Sequence, residues 1–235
     1  MTMGLKLGVG LAALATLAAL AAPCLAADAA HPTVIELFQS QGCDSCPPAE
    51  ANVAAISERA DILALAFEVD YWDRLGWKDT FSKPAWTARQ YAYADAMGRD
   101  GVYTPQVVVN GRLEGDGLEA GELASLVNRG DRGAGGPEVS FSGGMILIGA
   151  GAAPPGGAEV WLARYIPRAV EVAIPRGENA GRTLPYKDVV RELVLLGHWH
   201  GLAASFPLPA GEAGLAEAAI VQAAGAGPIL AAARR

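Results

Sequence analysis

Thr33-Val-Ile-Glu-Leu-Phe-Gln-Ser-Gln-Gly-Cys-Asp-Ser-Cys-Pro-Pro48 decides the reading of this chain. Its first half, Thr33 to Phe38, is β-branched and apolar, the composition of a buried strand. Gln39 to Gly42 is a polar loop. From Pro47 onward Val53, Ile56 and the small Ala49, Ala54 and Ala55 suit a helix, in which Pro47 and Pro48 are tolerated only in the first turn. Cys43 and Cys46 therefore lie where a strand hands over to a helix.

Working outward, Ile62-Leu-Ala-Leu-Ala-Phe-Glu-Val69 reads as a second core strand, followed by the aromatic loop Asp70-Tyr-Trp-Asp-Arg-Leu-Gly-Trp77. Pro84 to Met97 is a helical stretch that Gly98 and Gly101 end. Gln106-Val-Val-Val109 restarts extended structure before the turn dipeptide Asn110-Gly111, a hairpin signal, and Leu118 to Val127 closes with a helix. This order is the α/β plus antiparallel mixture of a thioredoxin-like domain and fits within residues 31–129.

Gly130-Asp-Arg-Gly-Ala-Gly-Gly-Pro137 is a glycine-dense linker, and beyond it short extended runs alternate with turn clusters. Met145 to Ile148, Ala158 to Tyr165, Ala169 to Ile174, Ala218 to Gln222 and Ile229 to Ala232 are expected strands; Leu193 to Trp199 fits strand or helix, with strand favoured. The expected fold is an α/β thioredoxin-like N-terminal domain, then a smaller, mainly antiparallel β-sandwich domain over residues 138–235.

Residues 1–26 pair Lys6 with an apolar run from Leu7 to Ala22 and small residues at Ala26 and Ala27, the pattern of a signal peptide. That run is shorter than the ~20 residues a membrane span needs, so the mature chain is expected to be exported, periplasmic in a Gram-negative cell and otherwise secreted. Cleavage would remove Lys6 and no acid, taking the formal charge from -7 to -8. Such a balance argues against a nucleic-acid partner. Cleavage would also remove Cys24 and leave Cys43 and Cys46 as a single pair.

A Cys-x-x-Cys pair can be a staple, part of a metal site or a redox couple. A disulfide closing about four residues stabilises by roughly 2 kcal/mol, against about 4.7 for a hundred-residue loop, so as a staple this one is poorly placed. A closed zinc site wants four Cys or His ligands, and only His31, His198 and His200 accompany the two thiols. A two-thiolate copper(I) site stays open, because soft thiolates select that ion. The redox reading is favoured by position: the amides and dipole of a helix start stabilise a thiolate. Cys43 is then the exposed attacking thiol and Cys46 the buried resolving one. Asp44 opposes this tuning, so a Cys43 pKa modestly below the free value of about 8.5 is expected.

Thr104-Pro105, just before Gln106-Val-Val-Val109, is similar to the strand opening of thioredoxin-like proteins, which carry a cis-proline facing the Cys-x-x-Cys motif. By that resemblance Pro105 is cis, Thr104 offers its backbone to an extended substrate, and Glu36 stands close to the buried acid that takes the resolving cysteine's proton; Glu68 and Asp70 compete for that role. Val34 to Pro48, Asp70 to Trp77, Tyr103-Thr-Pro-Gln106 and Arg176-Gly-Glu-Asn-Ala-Gly-Arg182 together resemble the DUF1223 family. The resemblance covers nearly all of the mature chain and implies a scaffold without a firmly assigned reaction.

Trp72, Trp77 and Trp86 are either core or the wall of a partner groove, and His198 and His200 either surface residues or a metal pair. Arg176 to Arg182 reads most simply as a polar, glycine-containing hairpin turn, with a binding loop as the alternative. The leading expectation is an exported thiol-disulfide oxidoreductase acting on protein thiols or disulfides with a redox partner protein, needing no cofactor and no metal; the alternative is a copper(I)-binding or partner-binding protein using the same cysteines.

Overall fold

The computed structural model describes Met1 and residues 26–235; the signal-peptide reading falls largely on residues 2–25, outside them. The described chain is mostly β. Strand β1 (Thr33–Gln39) pairs in parallel with β2 (Ile62–Glu68) and antiparallel with β3 (Gln106–Val109), which turns back through Asn110-Gly111 into β4 (Leu113–Gly115). Both turn residues have positive φ, as a tight hairpin demands. Every residue of β1, β2 and β3 is buried, which is why their sequences lack the polar alternation of a one-sided strand.

Two layers of helix cover this part of the sheet. Ile35, Leu37, Ile62, Ala64, Val107 and Val109 pack against α1 (Pro47–Ile56) and α3 (Ala120–Gly130). Val34, Phe38, Leu63, Leu65 and Phe67 pack against Trp86 and Tyr93 of α2 (Pro84–Ala96) on the opposite face. Among the described residues no helix is long and apolar enough to cross a membrane.

The expected succession of a thioredoxin-like α/β domain and a separate β-sandwich is overturned by the sheet itself. Asp188 O accepts from Ala66 N at 2.8 Å, and Val189 pairs with Ala66, so β10 (Val189–Trp199) extends the sheet from the outer edge of β2. β7 (Ala158–Ile166), β12 (Ala216–Ala223) and β13 (Ile229–Arg234) follow, giving one mixed eight-stranded sheet in the order β13-β12-β7-β10-β2-β1-β3-β4. The physical reason is the edge of β2: a strand buried along its whole length cannot leave that edge open to water, and the start of β10 meets it at Val189. Ile146, Ile148, Val160, Leu162, Trp199 and Val221 form the core between the outer part of this sheet and the small sheet of β5 (Val139–Ser142), β6 (Met145–Ile148) and β11 (Ala204–Pro207).

The stretch 130–137 makes specific contacts, although Gly135 and Gly136 are exposed. Arg132, mostly buried, donates to the carbonyls of Pro32, Gly133 and Gly135, and Gly136, at φ +106, approaches Leu230 so closely that a Cβ would overlap its carbonyl oxygen. Glycine serves close approach here.

The remaining two strands, β8 (Val170–Ile174) and β9 (Arg182–Tyr186), pair only with each other. Their hairpin leaves the large sheet after β7 and returns at β10, and it lies over the cysteine loop.

Candidate functional site

Cys43 and Cys46 form a disulfide with Cα atoms 5.4 Å apart. Cys46 is the N-cap of α1, without a side-chain cap, and Pro47 and Pro48 occupy the first helical positions. Those prolines lack N–H groups, so two of the amides expected to stabilise a thiolate are missing, and the helix dipole, the Ala49 N–H and Ser45 Oγ, 3.4 Å from Cys43 Sγ, carry what tuning remains. Asp44 and Ser45 are exposed, yet Cys43 is fully buried and Cys46 nearly so. The exposed attacking thiol expected from sequence is covered.

Two loops do the covering. On one side Gln41 N donates to Asp79 Oδ2 at 2.7 Å, and Trp77 Nε1 and Thr80 N both donate to Gln41 Oε1. On the other, the β8–β9 loop brings Asn179, itself fully buried, whose Nδ2 donates to Gln41 O at 3.0 Å and to Cys43 O at 2.8 Å. Glu178 accepts from Asp44 N at 3.4 Å. Arg182 Nη1 donates to Asn179 Oδ1 at 2.6 Å and fixes the carboxamide's orientation.

Below the disulfide lies a mainly apolar cavity of about 100 Å³, room for a few waters, lined by Cys46, Pro47, Ala51, Leu184, Pro185 and Tyr186, with Gln39, Glu50 and Lys187 as its polar residues. Glu50 follows Cys46 by one helical turn and shares its face of α1. Its Oε1 accepts from Lys187 N at 2.7 Å, and Gln39 Nε2 donates both to Glu50 and to Glu68. Burial pushes Glu50 up to about 7, against the Lys187 and Gln39 hydrogen bonds that favour its charge. Burial, reinforced by the charge of Asp79, holds Glu68 well above the ordinary carboxyl range. Asp79 is raised as well, by burial, although the Gln41 and Phe81 N–H groups oppose the shift.

The Thr104–Pro105 peptide bond is cis. It opens β3 where Gln106 pairs with Phe38 at the cysteine end of β1, and Trp72 Nε1 donates to Thr104 Oγ1 at 2.8 Å while its Cβ flanks Gly42. The structure thus brings Thr104, Pro105 and the cysteine loop to one end of the sheet. Glu36 is elsewhere: strand alternation turns it toward α2, where Arg89 Nε donates to it at 2.8 Å and Tyr93 OH also bonds it. Asp70 accepts from Thr87. Of the three acids weighed from sequence, Glu68 is the one in the layer beneath the disulfide; Glu50, one turn after Cys46, was the signal overlooked.

Trp86 is core, Trp77 is fastened to Gln41, and Trp72 to Thr104, so the tryptophans build no common groove. His198 and His200 are exposed with rings 6.5 Å apart. Among the described residues no group of three or more His, Cys, Asp or Glu is placed to hold a metal.

The crystal structure of protein AGR_C_4864 from Agrobacterium tumefaciens is similar, with a TM-score of 0.72 and 32% identity over 88% of this chain and 94% of that one. Among curated proteins none matches the chain. The family of proteins of unknown function DUF1223 matches residues 34–222, from β1 through β12, and the chain belongs to that family.

Proposed function

We propose that the chain is an exported thiol-disulfide oxidoreductase acting on protein thiols or disulfides. The observation that carries this reading is the Cys43–Cys46 disulfide at the head of α1, opening below onto a cavity that Cys46 shares with a carboxyl of pKa about 7. A group that exchanges its proton near neutral pH beside a thiol suits general acid-base work, directly or through one water. Export is supported by the apolar run after Lys6.

In the reducing direction the Cys43 thiolate attacks one sulfur of a substrate disulfide, that S–S bond breaks, and one substrate thiolate leaves. Cys46 gives its proton to the Glu50 carboxylate, and its thiolate attacks Cys43 Sγ. The second substrate thiolate is expelled, the Cys43–Cys46 bond forms, and two electrons have passed to the substrate. The oxidising direction is the same sequence reversed, with Glu50 returning the proton. Thr104 and Pro105 shape the edge against which an extended substrate lies.

The deciding experiment pairs an equilibrium potential against glutathione with trapping by Cys46→Ser, which stops at the mixed disulfide. A trapped protein partner and a potential above about -300 mV are expected; a lower potential with nothing trapped would mark an inert disulfide. Copper(I) saturating at one tight equivalent, and lost in Cys43→Ser, would replace this reading by metal binding.

A further inference from the structure

The geometry points to the β8–β9 loop as a lid over the redox pair, latched by Asn179, so that Cys43 exchanges with a partner only after the hairpin lifts. This rests on the oxidoreductase reading for its biological use. The argument starts from accessibility: Cys43 is 0% exposed, and attack on a disulfide requires in-line access to a sulfur.

What closes the site is specific. Asn179 spends both donors of its carboxamide on main-chain carbonyls of the cysteine loop, Gln41 O and Cys43 O, and Glu178 takes the Asp44 N–H. These two acceptors and one donor are the groups an extended polypeptide would need in order to lie along the cysteine loop. The lid therefore occupies the ground a substrate main chain would take, and a partner presenting two donors and one acceptor displaces it at little net cost in hydrogen bonds.

The hairpin is built to move separately. Its strands pair only with each other, and Pro167, Arg168 and Ala169, which lead into it, are exposed. It is anchored by the Asn179 latch, by the buried Ile174 and Tyr186 on its inner side, and by the packing of Gly177 against Trp77. Local openings of such elements cost less than global unfolding.

The test is the rate at which excess dithiothreitol reduces the native disulfide: one of its thiolates attacks, the second closes its ring, and Cys43 and Cys46 leave as thiols. Asn179→Ala should be reduced about tenfold faster or more, the factor set by losing two hydrogen bonds from the closed state. Asn52→Ala is the matched control, since Asn52 Nδ2 also donates to two carbonyls, of Gly117 and Leu118, without touching the hairpin; its rate should stay within about twofold of the parent. In the unaltered protein the rate should be nearly flat at low urea, because a local opening exposes little surface. An Asn179→Ala rate equal to the parent's overturns the lid, as does a steep urea dependence beginning at zero denaturant. The urea series decides alone should Asn179→Ala not fold. Because dithiothreitol needs no natural partner, a failed lid and a failed oxidoreductase give different results: the first in reduction rate, the second in trapping.

Discussion

The main-chain N–H of Lys187 donates to Glu50 Oε1 at 2.7 Å, so the acid under the disulfide is held by the turn between β9 and β10, 137 residues along the chain. The cysteine loop comes from the first half of the sequence, and the carboxyl beneath it is set by the second.

Stability should fall as pH rises from about 4.5 to about 7. Between those values folded Glu50 keeps the proton that the unfolded chain has released, so the native state binds more protons and raising pH favours unfolding. A shift of this size corresponds to about 3 kcal/mol as an order of magnitude. Asp188, raised to about 6 by burial, acts in the same sense, as does Glu68. His31, raised by its bond to Glu138 despite some desolvation, also loses its contribution as pH climbs. Urea melts across this range should show the decline, and Glu50→Gln should flatten it in part; an unchanged slope would remove Glu50 from the account.

Removing Glu36 should damage the fold and spare the chemistry. Glu36→Ala strands the buried Arg89 without its carboxylate, a loss of about 3–5 kcal/mol. Below its melting range the variant should still close the Cys43–Cys46 bond from a mixed disulfide at the parental rate. A resolving step slowed tenfold would return Glu36 to the proton-acceptor role.

Much of the strand and helix content was legible because buried strands and proline-led helices declare themselves locally: Thr33 to Phe38, Gln106 to Val109 and Pro84 onward all fall where their composition puts them. Partner choice was not legible. Nothing around Val189 announces that it will sit beside Ala66, and of the glycines that read as a linker, Gly130 and Gly136 turn out to stand where a Cβ would overlap a neighbour. In the site, the strand-to-helix placement of the cysteines could be read, and Glu50 could have been, from its spacing to Cys46. Asn179 could not: a polar residue in a glycine-flanked turn looks like any turn residue until the fold brings it onto carbonyls 136 and 138 residues away.

Gly136→Ala should therefore disturb the backbone contact with β13, although the position is exposed. The new methyl would meet the Leu230 carbonyl oxygen at a backbone conformation that L-residues avoid, and relief requires β13 or the segment 130–137 to shift. A loss of about 1–3 kcal/mol is expected in denaturant melts, whereas Gly143→Ala, with open space around it and φ +56, should cost about 1 kcal/mol from backbone strain alone. Equal losses at the two sites would mean that 130–137 does not contact β13 as described.

Reducing the disulfide should leave the protein folded. The bond closes a loop of about four residues, which the chain-entropy account values at roughly 2 kcal/mol, and the core beneath it does not depend on the bond: Ala49, Val53, Leu123 and Leu126 pack against β1 and β3 through their own apolar surface. Asn179 holds the loop through the main-chain carbonyls of Gln41 and Cys43, not through the sulfurs. A pair that can be opened at modest cost suits a couple that cycles, and one whose loss unfolds the chain would be a staple. Melting the oxidised protein, the dithiothreitol-reduced protein and a Cys43→Ser/Cys46→Ser variant side by side separates the two: a difference near 2 kcal/mol with a cooperative transition in all three supports the cycling pair, and a reduced form without a folding transition overturns it.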